Sequence, residues 1–152
     1  MNKKGPIVFF EDDRDDQEIL KEIFAELRIP NELLFFDNGQ SALDFLRSSP
    51  VQPFLIVSDI NMPLLNGIEL RDRVLKNADL RAKAIPYVFF STTAEADCVT
   101  EAYANSIQGF FIKPGGYMQL KRMMGIIIDY WLECVSPEYP AHGKAARAGG
   151  EC

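Results

Sequence analysis

Glu11, Asp12 and Asp13 follow the apolar run Ile7-Val8-Phe9-Phe10. Asp59 follows Phe54-Leu55-Ile56-Val57-Ser58, and Lys113 follows Gly109-Phe110-Phe111-Ile112. Short continuous apolar runs suit strands buried on both faces of a parallel sheet, and such strands share a carboxyl-terminal edge where ligands bind. Gathered at that edge, the four acids and the lysine make an acidic pocket with one fixed cation. Its chemistry is to hold a divalent metal ion beside a phosphoryl group, because phosphoryl transfer needs charge neutralisation and positioning more than covalent help.

The rest of the chain supplies elements to position that pocket. Strands are predicted over 7–10, 33–36, 54–58, 86–91 and 109–112. After the first strand the period changes: Leu20, Ile23, Phe24 and Leu27 fall at helical spacing, with Asp15, Asp16 and Glu18 at the front, where carboxylates suit a helix amino terminus. Further helices are expected from Ala42 to Leu46, over 68–77, from Glu95 to Ser106 with Val99, Ala102 and Tyr103 inward, and from Tyr117 to about Cys134; the stretch 78–84 reads as a connector. Five strand–helix units with short links imply an α/β, doubly wound, five-stranded parallel sheet with helices on both faces. The flavodoxin-like strand order 2-1-3-4-5 puts the first and third strands at the topological switch point, and these are the strands ending in Glu11-Asp12 and Asp59.

Composition bounds the function. The 152 residues fit one domain, 1–136, followed by a tail, 137–152, that lacks period and reads as disordered or as an expression remnant. A net charge of -6 disfavours a direct grip on nucleic acid or an anionic membrane and favours a protein partner. Cys98, Cys134 and Cys152 form no CxxC pair and the only histidine is His142, so disulfide and zinc scaffolds are not expected. With no run long enough to span a bilayer, the expectation is a soluble, cytoplasmic protein.

The strings Val8-Phe9-Phe10-Glu11-Asp12-Asp13, Ser58-Asp59-Ile60-Asn61-Met62-Pro63 with Asn66-Gly67, Phe90-Ser91-Thr92, and Phe111-Ile112-Lys113-Pro114 together resemble the receiver domain of two-component response regulators, over residues 6 to about 134. Spacing and aromatic-rich strands are most similar to single-domain, chemotaxis-regulator-like members that serve phytochrome-type and other hybrid kinases. The resemblance implies that Asp59 accepts a phosphoryl group from a kinase histidine. It implies a magnesium ion held directly by Asp12 and Asp59, through water by Glu11, and by the backbone carbonyl of Asn61. Lys113 pairs with Asp59 and then with a phosphoryl oxygen, aimed by a cis bond to Pro114. Ser91 is the switch hydroxyl, at the family's usual distance before Lys113, with Thr92 as the fallback. Phe110 takes the aromatic switch position, and it lacks the hydroxyl of the tyrosine often found there. Ser106, where a glycine is common, and Gly115-Gly116, in place of a frequent aromatic, depart from the pattern on the face formed by the fourth and fifth helices.

The implied partners are a sensor histidine kinase, hybrid kinase or phosphotransfer protein and a downstream protein, with no output domain attached. The outer part of the last helix offers a homodimer surface. The domain is a phosphoacceptor rather than an enzyme acting on other molecules. Plainer readings exist for each residue. Asp13, Asp15 and Asp16 are helix-front charges; Asp59 caps a strand; Lys113 is a solvated charge; Ser91 and Thr92 cap the fourth helix. Two rival functions remain in view. One is a degenerate receiver acting as a phosphorylation-independent interaction module. The other is a haloacid-dehalogenase-like phosphatase, which wants a second aspartate where Asn61 stands.

Overall fold

The computed structural model describes residues 1–137. Most of the proposed tail, with His142 and Cys152, lies outside them. Five strands, β1 (Ile7–Phe10), β2 (Leu33–Phe36), β3 (Leu55–Ser58), β4 (Tyr87–Ser91) and β5 (Gly109–Ile112), form one parallel sheet of order β2-β1-β3-β4-β5. Between and after them run α1 (Arg14–Glu26), α2 (Gly39–Ser48), α3 (Gly67–Lys76), α4 (Ala78–Ala82), α5 (Ala96–Ala104) and α6 (Tyr117–Glu133).

Alternation along the strands divides the core in two. Val8, Phe10, Ile56, Tyr87 and Phe89 face α2, α3, α4 and α5. Ile7, Phe9, Leu55, Val57, Val88 and Phe90 face α1 and α6. Both faces are covered, so β1, β3 and β4 are buried throughout, which is why they read as unbroken apolar runs.

Several expectations change. The connector after α3 contains the helical turn α4, because Asn77 both ends α3 and caps α4, its side chain accepting from the Leu80 N–H at 3.0 Å. The fourth and fifth helices of the sequence are therefore α5 and α6. Helix α5 is shorter than expected and stops before Ser106, which takes the left-handed conformation at φ 57. Tyr103 points outward and is 51% exposed: the inward stripe of so short a helix is Ala102 with half-buried Cys98 and Val99. No peptide bond among the described residues is cis, so Lys113–Pro114 is trans and the expected cis bond is withdrawn. Neither Ser91 nor Thr92 caps α5, whose N-cap residue is Glu95.

Candidate functional site

The parallel ladder fixes where the strand ends meet. The Glu11 N–H donates to the Phe36 carbonyl at 2.9 Å and the Asp59 N–H to the Phe10 carbonyl at 2.8 Å. On the other side of the sheet centre, the Lys113 N–H donates to the Ser91 carbonyl at 2.8 Å. Glu11, Asp59, Ser91 and Lys113 thus stand on one edge because their strands are in register there.

Carboxylate oxygens of Glu11, Asp12 and Asp59 all lie within 4.8 Å of one another. A set of hard oxygen donors carrying three negative charges suits a hard divalent cation such as magnesium. Glu11 is buried, Asp59 half-buried and Asp12 exposed, so the cluster opens to solvent on the Asp12 side. The Lys113 ammonium reaches in from the opposite side. It donates to Glu11 Oε2 at 2.6 Å, Asp59 Oδ2 at 3.2 Å and Asp16 Oδ2 at 3.3 Å, and it lies 5.5 Å from the centre of the Phe90 ring. Burial works against the charged form of both partners. It pushes the Glu11 carboxyl above the usual carboxylate range, although the hydrogen bond and charge of Lys113 pull it back. Burial alone would lower the Lys113 ammonium, but the Glu11 hydrogen bond and the charges of Glu11, Asp59 and Asp16 outweigh it and hold the group above the ordinary lysine range.

Backbone donors orient the acids. The Asp13 N–H donates to Glu11 Oε1 at 3.1 Å, leaving Oε2 for the lysine. Asp59 Oδ1 accepts from the Ile60 N–H at 2.7 Å and from the Asn61 N–H at 3.4 Å, which turns Oδ2 toward Lys113. Asn61 is exposed in the loop directly after Asp59. Ser91 is fully buried at the end of β4, and its Oγ accepts the Thr93 N–H at 3.4 Å; Thr92 is exposed beyond the strand. Phe110 is half-buried, its ring centre 6.1 Å from that of Phe89, on the face that carries Ser91.

Four residues around the site escape sequence reasoning or change role. Asp13 is the N-cap of α1, accepting from the Asp15 and Asp16 N–H groups, while Asp16 is an ion-pair partner of Lys113. Gly67 begins α3 where the chain passes close behind the site: a Cβ there would lie 2.1 Å from the Asp59 carbonyl oxygen. Gly67→Ala should therefore push the Asp59 backbone outward and cost about 3 kcal/mol. A thermal melt checks this, and a melting temperature within 2–3 °C of wild type, against the roughly 10 °C expected, would contradict the close approach.

Arg71, on the inner side of α3, is buried. Its Nε donates to the Asn105 carbonyl at 2.9 Å and its Nη2 to the Ser106 carbonyl at 2.8 Å, while the guanidinium lies 4.9 Å from the centre of the Tyr87 ring. These bonds hold the corner where Ser106 takes its left-handed conformation. The Tyr87 hydroxyl is buried beside Ser58 without a hydrogen-bond partner among the described residues, and the Ser58 hydroxyl donates to the Asp59 carbonyl at 2.8 Å. Nothing in the sequence marks Arg71 as inward except its place beside Leu70 and Val74 in the helical period.

Residues 7–125 match the family described as "Response regulator receiver domain". The chain is 30% identical to the response regulator Rcp1 of Synechocystis sp. over 141 residues, covering 89% of this chain and 94% of that protein. The fold superposes on the crystal structure of a phosphorylated cyanobacterial phytochrome response regulator, RcpA, with a TM-score of 0.80 and 25% identity over 88% of this chain and 99% of that one. It also superposes on the Mn(2+)-bound form of Rcp1, with a TM-score of 0.78 and 28% identity over the same shares.

Proposed function

The chain belongs to the receiver-domain family of response regulators, and from that premise we propose that it is a phosphorylation-switched signalling domain with Asp59 as its phosphoacceptor. The observation that carries the reading is the pairing of three clustered carboxylates, Glu11, Asp12 and Asp59, with a lysine that donates to two of them. A strand-end cap or a solvated lysine would need no such arrangement.

In the step itself, an Asp59 carboxylate oxygen attacks the phosphorus of a phosphohistidine. A P–O bond forms as the P–N bond breaks; the bonding pair goes to the ring nitrogen, and the imidazole leaves as the neutral ring because its other nitrogen carries a proton taken from solvent. The product is an acyl phosphate, so one formal charge of Asp59 is replaced by the dianionic phosphoryl group. Lys113 supplies a fixed positive charge to that group. The Ile60 and Asn61 N–H groups hold Asp59 Oδ1 in place, which leaves Oδ2 as the attacking atom. Asp12, Asp59 and the Asn61 carbonyl, with Glu11 behind them, would hold a magnesium ion, which would supply electrostatic neutralisation of the phosphoryl oxygens.

Ser91 is the hydroxyl that turns toward the new phosphoryl group. Its backbone is tied to Lys113, and it exchanges a weak bond to Thr93 for a charge-assisted one. Thr92, already exposed, gains less by the same move. Loss of the Ser91 bond to Thr93 frees the start of the loop leading to α5, and Phe110 shares that face. The conformational change therefore reaches the β5 edge, where Tyr103, Ile112, Ile126 and Tyr130 are exposed. A downstream protein, or a second copy, reads that edge. The phosphoryl donor is a sensor histidine kinase, a hybrid kinase or a phosphotransfer protein. The phytochrome connection carried by the RcpA neighbour makes a light-sensing kinase the first donor to try.

Intact mass after incubation with magnesium and acetyl phosphate tests the reading. One added phosphoryl mass, mapped to the peptide holding Asp59 and lost when magnesium is chelated, is the expected result. A protein that binds magnesium but gains no mass from any donor would instead be a phosphorylation-independent interaction module. No helix among the described residues is long and apolar enough to cross a membrane.

A further inference from the structure

We propose that Asp16 is a positioning residue for Lys113: it keeps the ammonium at the phosphoryl site while the other two partners of the lysine are engaged by a cation. This rests on the receiver reading above and adds a residue to it.

A lysine ammonium has three N–H donors, and Lys113 is near three acceptors: Glu11 at 2.6 Å, Asp59 at 3.2 Å and Asp16 at 3.3 Å. Two of these acceptors are also members of the carboxylate cluster; Asp16 is not. A divalent ion on the cluster draws on the charge of Glu11 and Asp59 and repels the ammonium, so both bonds weaken when the site is loaded. Phosphorylation then removes the Asp59 carboxylate as an anion altogether. Asp16 is the one partner whose charge neither event consumes.

Its position is fixed by the start of α1. The Asp16 N–H donates to the capping carboxylate of Asp13 at 3.1 Å, so the side chain projects from the first turn toward the lysine, and a carboxylate there is favoured by the helix dipole. Lys113 has only 11% of its side chain exposed whereas Asp16 has 41%, so Asp16 tethers the lysine from the solvent side of the pocket. Without it, an ammonium repelled by the ion has water as its alternative.

The rate of labelling by phosphoramidate at saturating magnesium tests the assignment. Asp16→Ala and Asp16→Asn are each expected to slow labelling about threefold, the size of a half-exposed ion pair, and Asp16→Glu to stay near the wild-type rate. In a Lys113→Met background, removing Asp16 should cause no further slowing, a non-additivity that a merely structural role for Asp16 would not produce. If Asp16→Asn labels at the wild-type rate, or if loss of Asp16 slows both backgrounds equally, the proposal is overturned. Should the wild type itself take no label, it is the receiver reading that fails, so the two failures are distinct.

Discussion

Asp59→Asn is expected to abolish phosphoryl labelling while leaving the protein without metal at least as stable as wild type. The two halves of this result have different causes. An amide has no anionic oxygen to attack phosphorus and cannot form a lasting acyl phosphate, so the loss should be complete rather than partial. The new amide has one acceptor oxygen, which can keep the Ile60 N–H, while its NH2 replaces the oxygen that faced Lys113; Lys113 would keep Glu11 and Asp16. What the substitution removes is one of three negative charges whose oxygens lie within 4.8 Å, and relief of that repulsion should offset the lost bond to the lysine. Stability is expected to be unchanged or higher by about 1 kcal/mol, and the stabilisation conferred by magnesium to shrink. Intact mass and thermal melts with and without magnesium give both readings. Retained labelling would remove Asp59 from the mechanism, and a large drop in melting temperature would mean that its charge holds the fold together.

The outline of this site is legible in the sequence because strand ends carry it. A residue that directly follows an apolar strand has its position set by the sheet, and Glu11, Asp59 and Lys113 all follow such runs, the first two of them buried; the strand order then brings them together. Side chains on helices and loops are less legible, since their positions depend on packing between elements far apart in sequence. Asp16 can be recognised as a helix-front charge, but its reach to a lysine 97 positions later depends on how α1 lies on the sheet. Arg71 looks like a surface arginine until the corner at Asn105 and Ser106 presents two carbonyls to it. The α4 turn escapes the sequence reading because a single Asn77 serves two helices, an economy that periodicity over a few residues cannot register. Spacing from Val99 places Tyr103 inward, yet the small residue Ala102 is the one that lets α5 approach the sheet.

Lys113→Met should destabilise the protein without metal by about 3 kcal/mol, roughly 10 °C in melting temperature, and magnesium should restore most of it. Methionine preserves the length and packing of the stem beside Phe90 and removes the charge. Glu11, with 4% of its side chain exposed, then loses its cation at 2.6 Å and is left as a buried anion beside Asp59. Breaking a buried pair in this way costs more than the pair contributes. Two remedies remain, and each gives a measurable signature. Glu11 can take up a proton: burial already raises its pKa, and loss of Lys113 raises it further. A carboxyl raised on folding binds protons more tightly in the native state, so its contribution to stability is complete below the unfolded carboxylate range and is lost as pH rises through the raised folded value. The deficit of the variant should therefore be largest at neutral pH and narrow as pH falls toward the ordinary carboxylate range. The other remedy is a divalent cation, which returns positive charge to the cluster by a different route. Magnesium should accordingly raise the melting temperature of Lys113→Met by more than that of wild type, where the ion must compete with an ammonium for Glu11 and Asp59. Equal shifts in the two proteins would mean that lysine and metal do not share these carboxylates, and the cluster would lose its claim to be the cation site.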